Sequence, residues 1–383
     1  MSLSIVCEGN ARGGSPHYYR GSAARRPHEV KIALLYLDAL RSGGYPRDVR
    51  WLASEFSDLG HEVVLIAREG KETDGLRGVG VVRPERFRSL YSTVDLVHTW
   101  GLFLPAQIGV EWVSRRKTRI VPTVVSPLAQ LMPLHLGRSV WKKVPYLALL
   151  RPALRGVKPV AHFFSEEEYW ASVHYLQPPA HFEATLGLFP PPGGATASEA
   201  VGDYLLFFGR NDITQKGIDV LVEGYRLARR QGLELPLVVA GHPDKRSIGY
   251  WKKVKRDREL SSHVELLGEV PDEERSRLLV NARSLVFPSR WDGPPRPIRE
   301  AIALGTPVIV TNGTNMGQLV ESHSAGELVA LEATSISEGL IKAADKDEAR
   351  VWREGAKKLR EALSWDRVAL EYLRGYEMTL STG

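Results

Sequence analysis

Two cations and two carboxylates stand where short apolar runs end. The stretch "FFGRNDITQKGID", residues 207–219, leaves one such run through Gly209 and carries Arg210 and Lys216 towards a helix start. The stretch "SRWDGPPRPIRE", residues 289–300, leaves another and sets Asp292 and Glu300 on either side of Gly293 and three prolines. A guanidinium and an ammonium leaving one strand end can converge on a diphosphate; solvated surface charge, the usual fate of Lys and Arg, is the alternative. A proline in the first turn of a helix forfeits no hydrogen bond, so "GPPRP" reads as a helix start with Glu300 one turn inside and Asp292 left in the loop. Carboxylates held apart in this way can accept hydrogen bonds from neighbouring hydroxyls, as on a ribose or a hexose. Glu300 as a plain helix cap is the other reading. A third stretch, "GGY" from Gly43 to Tyr45, follows the apolar run "KIALLYL" and opens a helix. Its glycines either bring backbone N–H groups to an anion at the positive helix end or make a tight turn.

The elements that must position these residues alternate along the chain. Apolar runs at "KIALLYL", "EVVLIA", "GVGVV", "DLVHTW" and "RIVPTVV" are separated by helical patterns, the rhythm of a parallel sheet wrapped by helices. Between Pro46 and Leu59 the residues Val49, Leu52, Ala53, Phe56 and Leu59 recur at helical spacing. The alternation stops at "FPPPGGATASEAVGD", residues 189–203, and restarts with "YLLFFGR", "LPLVVAGH", "VELLGEV", "RSLVFPS" and "TPVIVTN". A chain of 383 residues with 43% hydrophobic content exceeds one core, so two domains are expected. The expected borders are a non-periodic, flexible leader at 1–28, a first domain at 29–195, a second at 196–365 and a final helix at 366–383 crossing back towards the first domain. Two such sheets bind ligands in a cleft at the carboxyl ends of their strands.

Composition excludes several classes. A single cysteine, Cys7, leaves no internal disulfide and fits a reducing compartment, so a cytoplasmic protein is expected. No apolar stretch reaches the roughly 20 residues of a spanning helix. The net charge of +6 suits anionic ligands, but the basic residues are scattered rather than interleaved with aromatics, so nucleic acid is not the expected partner. The segment 136–158 mixes Trp141, Tyr146, leucines and cations; it reads either as a peripheral membrane-surface segment or as an ordinary pair of helices with snorkelling lysines, which is preferred.

Taken in order, "FFGRNDITQKGIDVLVEGY", "LVVAGHP", "VELLGEV", "VFPSRWDG", "EAIALGTPVIVTN" and "SWDRVA" resemble the nucleotide-binding half of the family 4 glycosyltransferases. More loosely, "SGGYPRDVRWLASEFSDLGHEVVLIA", "VDLVHTWG", "SPLAQLMP" with "SVWKK", and "FFSEEEYWA" are similar to the first half. The resemblance implies α/β architecture of the GT-B type, two doubly wound Rossmann-like domains facing across a cleft. It also implies retaining transfer of a sugar from a UDP, GDP or dTDP sugar to a saccharide, lipid-linked or small-molecule acceptor, with no cofactor beyond the co-substrate and no metal. Carried over by position, Arg210 and Lys216 hold the donor diphosphate, Glu300 binds the ribose and Asp292 lies near the donor sugar. Gly268 to Val270 flank the base, Gly43 and Gly44 border the diphosphate, and Gly209 and Gly293 belong to the donor-binding loops. His98, in "DLVHTW", is an acceptor-side residue or a buried structural histidine.

The chain departs from the family pattern at four places. Asp292 stands where a glutamate is usual, Gln318 stands where another is common, and "VVSPLAQL" lacks the usual His-Gly. Pro294 and Pro295 replace residues whose backbone N–H groups would bind the transferred sugar, and proline has none. A GT-B scaffold without catalysis and a nucleotide-sugar epimerase or hydrolase are the competing readings.

Overall fold

The structure, a computed structural model, describes residues 29–103, 120–137, 140–191 and 202–382. The leader at 1–28, Cys7 and most of the stretch 189–203 lie outside the described residues. Two compact units emerge. One comprises the chain up to Leu186 together with the helix Trp365–Thr382, and the other runs from Gly187 to Ser364.

The first unit is built on seven strands: β1 (Lys31–Leu35), β2 (Glu62–Ile66), β3 (Gly80–Val82), β4 (Leu96–Trp100), β5 (Thr123–Ser126), β6 (Val160–Phe163) and β7 (His181–Glu183). They pair in the order β3-β2-β1-β4-β5-β6-β7, every pair parallel. Helices cover both faces, so the central strands read as continuous apolar runs rather than alternating ones; all five residues of β4 are buried. The helix Gly44–Asp58 buries Val49, Leu52, Ala53 and Phe56. The Phe56 ring lies 6.4 Å from Tyr372 and 5.4 Å from Tyr376 of the helix Trp365–Thr382. That last helix reaches the sheet closely at Gly375, where a Cβ would lie 2.5 Å from the Phe182 ring.

The second unit repeats the plan with β8 (Leu205–Phe208), β9 (Leu237–Ala240), β10 (Val264–Gly268), β11 (Ser284–Phe287), β12 (Val308–Val310) and β13 (Gly326–Leu328). The order is β10-β9-β8-β11-β12-β13, again parallel throughout. Leu206, Val239, Leu285, Ile309, Leu221 and Tyr225 belong to one continuous core. In each sheet the chain starts in the middle, winds to one edge, then returns to wind to the other. The connections therefore diverge at β1/β4 and at β8/β11, and the strand carboxyl ends there are left uncovered, which is where open sheets of this kind take ligands.

Candidate functional site

At the β8/β11 divergence the chain brings three of the four expected site residues into one hydrogen-bonded cluster. Strand β8 ends at Phe208, and Gly209 turns the chain while its N–H donates to the Ala240 carbonyl at 3.1 Å. A Cβ at Gly241 would lie 1.9 Å from the Gly209 carbonyl oxygen, so the two backbones touch there. Asp212 caps the short helix Ile213–Lys216 by accepting the Gln215 N–H at 2.9 Å. Gly217 follows at φ 64, in the left-handed region, with the position of a Cβ only 2.1 Å from the Pro288 carbonyl oxygen. Gly217→Ala is expected to destabilise the protein by about 3 kcal/mol, because the left-handed backbone and the overlap with Pro288 add together. A urea denaturation curve indistinguishable from that of the parent would refute it.

Lys216 is 7% exposed, and its Nζ sits 4.9 Å from the centroid of the Phe287 ring. A buried ammonium needs a counter-charge, and the Asp292 carboxylate supplies it through an ion pair with Lys216. The Asp292 Oδ2 also accepts from the Ser289 hydroxyl at 2.8 Å, and Oδ1 accepts from the Gln215 amide at 3.4 Å. The loop itself is tied down by the Asp292 N–H donating to the Gly313 carbonyl at 2.6 Å and by the Asn315 amide donating to the Asp292 carbonyl. Arg210 is exposed and donates from Nη2 to the Gln215 Oε1 at 2.7 Å. Gln215 thus links Arg210 to Asp292, and Asp292 links to Lys216.

Glu300 belongs to a second cluster on the same strand ends. The helix Arg296–Ala303 starts after Pro295, whose extended conformation (φ −71, ψ 137) sets the entry, with Gly293, Pro294 and Pro295 all buried. Within it Arg296 Nε donates to Glu300 Oε1 at 2.7 Å, four residues away. Arg275, a residue that nothing in the sequence singled out, brings its Nε to 3.1 Å from the other carboxylate oxygen. Its guanidinium lies 5.6 Å from the centroid of the Phe208 ring. That contact is an ion pair, and among the described residues Glu300 Oε2 and Arg275 Nη2 have no hydrogen-bond partner. Two buried polar atoms with unused hydrogen-bonding capacity at a switch point are suited to a polar ligand. The two clusters adjoin across Gly209, since a Cβ there would meet Phe287 at 3.2 Å and Pro297 at 3.7 Å.

The remaining expected residues fall as follows. Gly268 closes β10 with φ 71, its carbonyl accepting the Gly241 N–H at 2.6 Å, and open space lies where a side chain would stand. Val270, two residues on, is half-buried. In the first unit Gly43 adopts φ 146 immediately before the helix Gly44–Asp58, and the Tyr45 ring stacks on Phe164 at 5.9 Å. His98 has no exposed surface. Its Nδ1 meets the Tyr376 hydroxyl at 2.6 Å and its Nε2 meets the Ser126 hydroxyl at 2.5 Å. Ser126 continues to His162 Nδ1 at 2.7 Å, and His162 Nε2 to the Ala184 carbonyl at 2.8 Å. Burial holds both rings neutral, with His162 pushed down to about 3 and His98 well below its ordinary value.

Glu168 was also missed. It accepts the N–H groups of Ala129 at 2.5 Å and Phe164 at 2.8 Å, and so fixes the loop after β5 where Leu128 and Ala129 both take φ 58. Burial raises its carboxyl to about 7 against the pull of those two donors. Its only sequence signal is the first turn of a capped helix in "SEEEYWA", where Ser165 accepts the Glu168 N–H.

Two doubly wound parallel sheets, the second with cations and carboxylates gathered at its switch point, define a protein of the GT-B architecture. Residues 197–359 match the profile of the family described as Glycosyl transferases group 1, and this segment belongs to that family. The chain is 30% identical over 182 residues to O-antigen chain mannosyltransferase B of Escherichia coli, a match covering 46% of each chain and thus about half the length of that relative. It is 22% identical to the MMP alpha-(1->4)-mannosyltransferase of Mycolicibacterium hassiacum, over 92% of this chain and 99% of the relative. Among solved structures, Anabaena HepE in complex with UDP superposes with a TM-score of 0.69 at 16% identity, over 91% of this chain and all of HepE. Among the described residues no helix is long and apolar enough to cross a membrane.

Proposed function

We propose that the chain is a retaining glycosyltransferase that moves a hexose from a nucleotide diphosphate sugar to an acceptor hydroxyl. The observation that carries this reading is the cluster Arg210–Gln215–Asp292–Lys216 at the carboxyl ends of β8 and β11, inside the segment that matches the family. A diphosphate entering there competes with Asp292 for the Lys216 ammonium and takes the exposed guanidinium of Arg210. As the bond from the sugar carbon to the diphosphate oxygen breaks, its electron pair goes to the diphosphate, whose growing charge faces two cations already in place. The acceptor oxygen forms the new bond to that carbon and its proton is released. Asp292, freed from Lys216, accepts from a sugar hydroxyl, and the unused Glu300 Oε2 accepts from a ribose hydroxyl. In this reading the cations answer the leaving-group charge and no metal ion is required. Pro294 and Pro295 offer no N–H to the sugar, so side chains select it.

UDP is the first nucleotide to test because HepE was solved with it, and mannose the first sugar because of the mannosyltransferase relatives; GDP and dTDP donors follow. Mass spectrometry of reactions offering UDP, GDP and dTDP sugars with saccharide, lipid-linked and small-molecule acceptors should show one glycosylated product that requires both substrates. Nucleotide released equally without acceptor would indicate a hydrolase instead. Pro294 and Pro295 favour one second reading, a donor-binding partner of another transferase, for which calorimetry would show donor binding and mass spectrometry no product.

A further inference from the structure

The first unit contains a cavity of about 320 Å³ lined in part by the segments that lead into β6 and β7. Its floor is Val125 and Ala161, neighbours in the β5–β6 register, with Leu154 and Leu176 as side walls and three prolines around the rim. Pro159 immediately precedes β6 and Gln177 to Pro179 precede β7, so the cavity opens towards the amino ends of these strands, while the Gly43 loop follows the carboxyl end of β1. Three cations line it, Arg151, Arg155 and Lys158, and no carboxylate does. Arg151 is used structurally, donating to the Tyr175 and His174 carbonyls at 3.3 and 3.4 Å. Arg155 and Lys158 are exposed, and among the described residues neither has an acidic partner.

The helices Val140–Val157 and Glu166–Leu176 end at Lys158 (φ 50) and Gln177 (φ 48), both left-handed without being glycine. Each N–H still closes its last turn, Lys158 to Leu154 and Gln177 to Val173, at 2.7 Å. Left-handed backbone at a side-chain-bearing residue is unfavourable by roughly 1–2 kcal/mol, and both of these residues line the cavity. Cations near a helix end also answer its dipole, but that role requires neither an apolar floor nor an open volume.

We propose that this cavity is a second ligand site, for a small anionic amphiphile: a phosphate or carboxylate held at the mouth by Arg155 and Lys158, with an aliphatic chain on the apolar floor. The volume suits roughly ten non-hydrogen atoms if each takes about the 30 Å³ of a liquid water, and it falls at the lower end of ligand pockets, about 300–1,000 Å³. The amphiphile is supplied either free in solution or as the end of an anionic lipid reaching out of a bilayer. The assignment stands apart from the transfer reading, since it uses no residue of the second unit.

The test uses the full chain, with octyl phosphate, octanol and inorganic phosphate as calorimetric probes, against the parent and the double variant Arg155→Gln/Lys158→Gln. Octyl phosphate is expected to bind at least tenfold more tightly than either other probe, and the double variant is expected to weaken it at least tenfold. Leu176→Trp, which fills the cavity from its wall, is expected to weaken it comparably while the thermal midpoint stays within a few degrees. Sedimentation with phosphatidylglycerol vesicles separates the sources: octyl phosphate binding without vesicle capture supports a free ligand, and both together support a lipid end. Inorganic phosphate equal to octyl phosphate, an unchanged double variant, or vesicle capture without octyl phosphate binding would each overturn the proposal.

Discussion

Lys216→Ala should lower kcat/KM for sugar transfer by about a hundred- to a thousand-fold, the range measured when one preorganised group facing developing charge is removed. The ammonium is fixed before any donor arrives: it is buried, lies over the Phe287 ring and is paired with Asp292. A donor therefore meets a positioned cation rather than a mobile side chain, and truncation removes the cation together with its positioning. The effect on the fold is smaller. Loss of one partner from a buried pair is destabilising by about 3–5 kcal/mol, but Asp292 keeps Ser289 and Gln215 as donors and its side chain is 18% exposed, so about 1–2 kcal/mol is expected after solvent screening. Parallel measurement of kcat/KM and the urea midpoint separates the two effects. Unchanged turnover in a folded Lys216→Ala protein would sink the proposed role of this cluster.

The buried histidines of the first unit are expected to lose their stabilising contribution on acidification. The chain Tyr376–His98–Ser126–His162–Ala184 has one consistent set of donors. The Ala184 carbonyl only accepts, so His162 carries its proton on Nε2 and accepts from Ser126 at Nδ1. Ser126 then accepts from His98 Nε2–H, and His98 Nδ1 accepts from the Tyr376 hydroxyl. A proton added to either ring turns an acceptor into a donor facing another donor, inside a core of Trp100, Phe182 and Tyr372.

The sign follows from linkage. His162 titrates at about 3 in the folded state and near 6.5 when unfolded, so the unfolded chain binds the proton first and stability falls as pH drops from about 6.5 towards 3. One such group contributes up to about 1.4 kcal/mol per pH unit and on the order of 5 kcal/mol over the window, and His98, also lowered well below its ordinary value, adds in the same direction. Glu168 and Glu183, both raised to about 7 by burial, act in the opposite sense, since their stabilisation is complete below about 4.5 and is lost as pH rises towards 7. The comparison that isolates the histidine is therefore the parent against His162→Gln, by urea denaturation between pH 7 and pH 4. The variant is expected to be less stable at pH 7 and to lose less stability on acidification. Parallel pH profiles for the two proteins would show that the histidine is not the acid-sensitive group.

Much of the architecture was legible in local signals. Buried parallel strands are short apolar runs, and the turns that follow them need glycines such as Gly43, Gly209 and Gly268. The placement of Arg210, Lys216, Asp292 and Glu300 in the segments that follow strands β8 and β11 was legible, because neighbouring residues determine it. Their pairings were not. Lys216 and Asp292 are 76 residues apart. Gln215 and Ser289 meet because strands β8 and β11 lie side by side, and Arg275 joins through the packing of the helix Asp272–Asn281 against Arg296–Ala303. His98 gave no local sign whether it faced a ligand or a core. Its partners are Ser126 on β5 and Tyr376 on a helix 278 residues away, so the docking of that helix decides its role.

The chain by itself therefore determined the α/β rhythm, the strand ends and which charged residues stand at them, because periodicity and turn chemistry act over a few residues. Only the tertiary structure decided which charge meets which, which histidines are buried, and where a basic cavity lies. Those outcomes depend on strand order and helix docking, and the chain brings such contacts together across distances that no local pattern records.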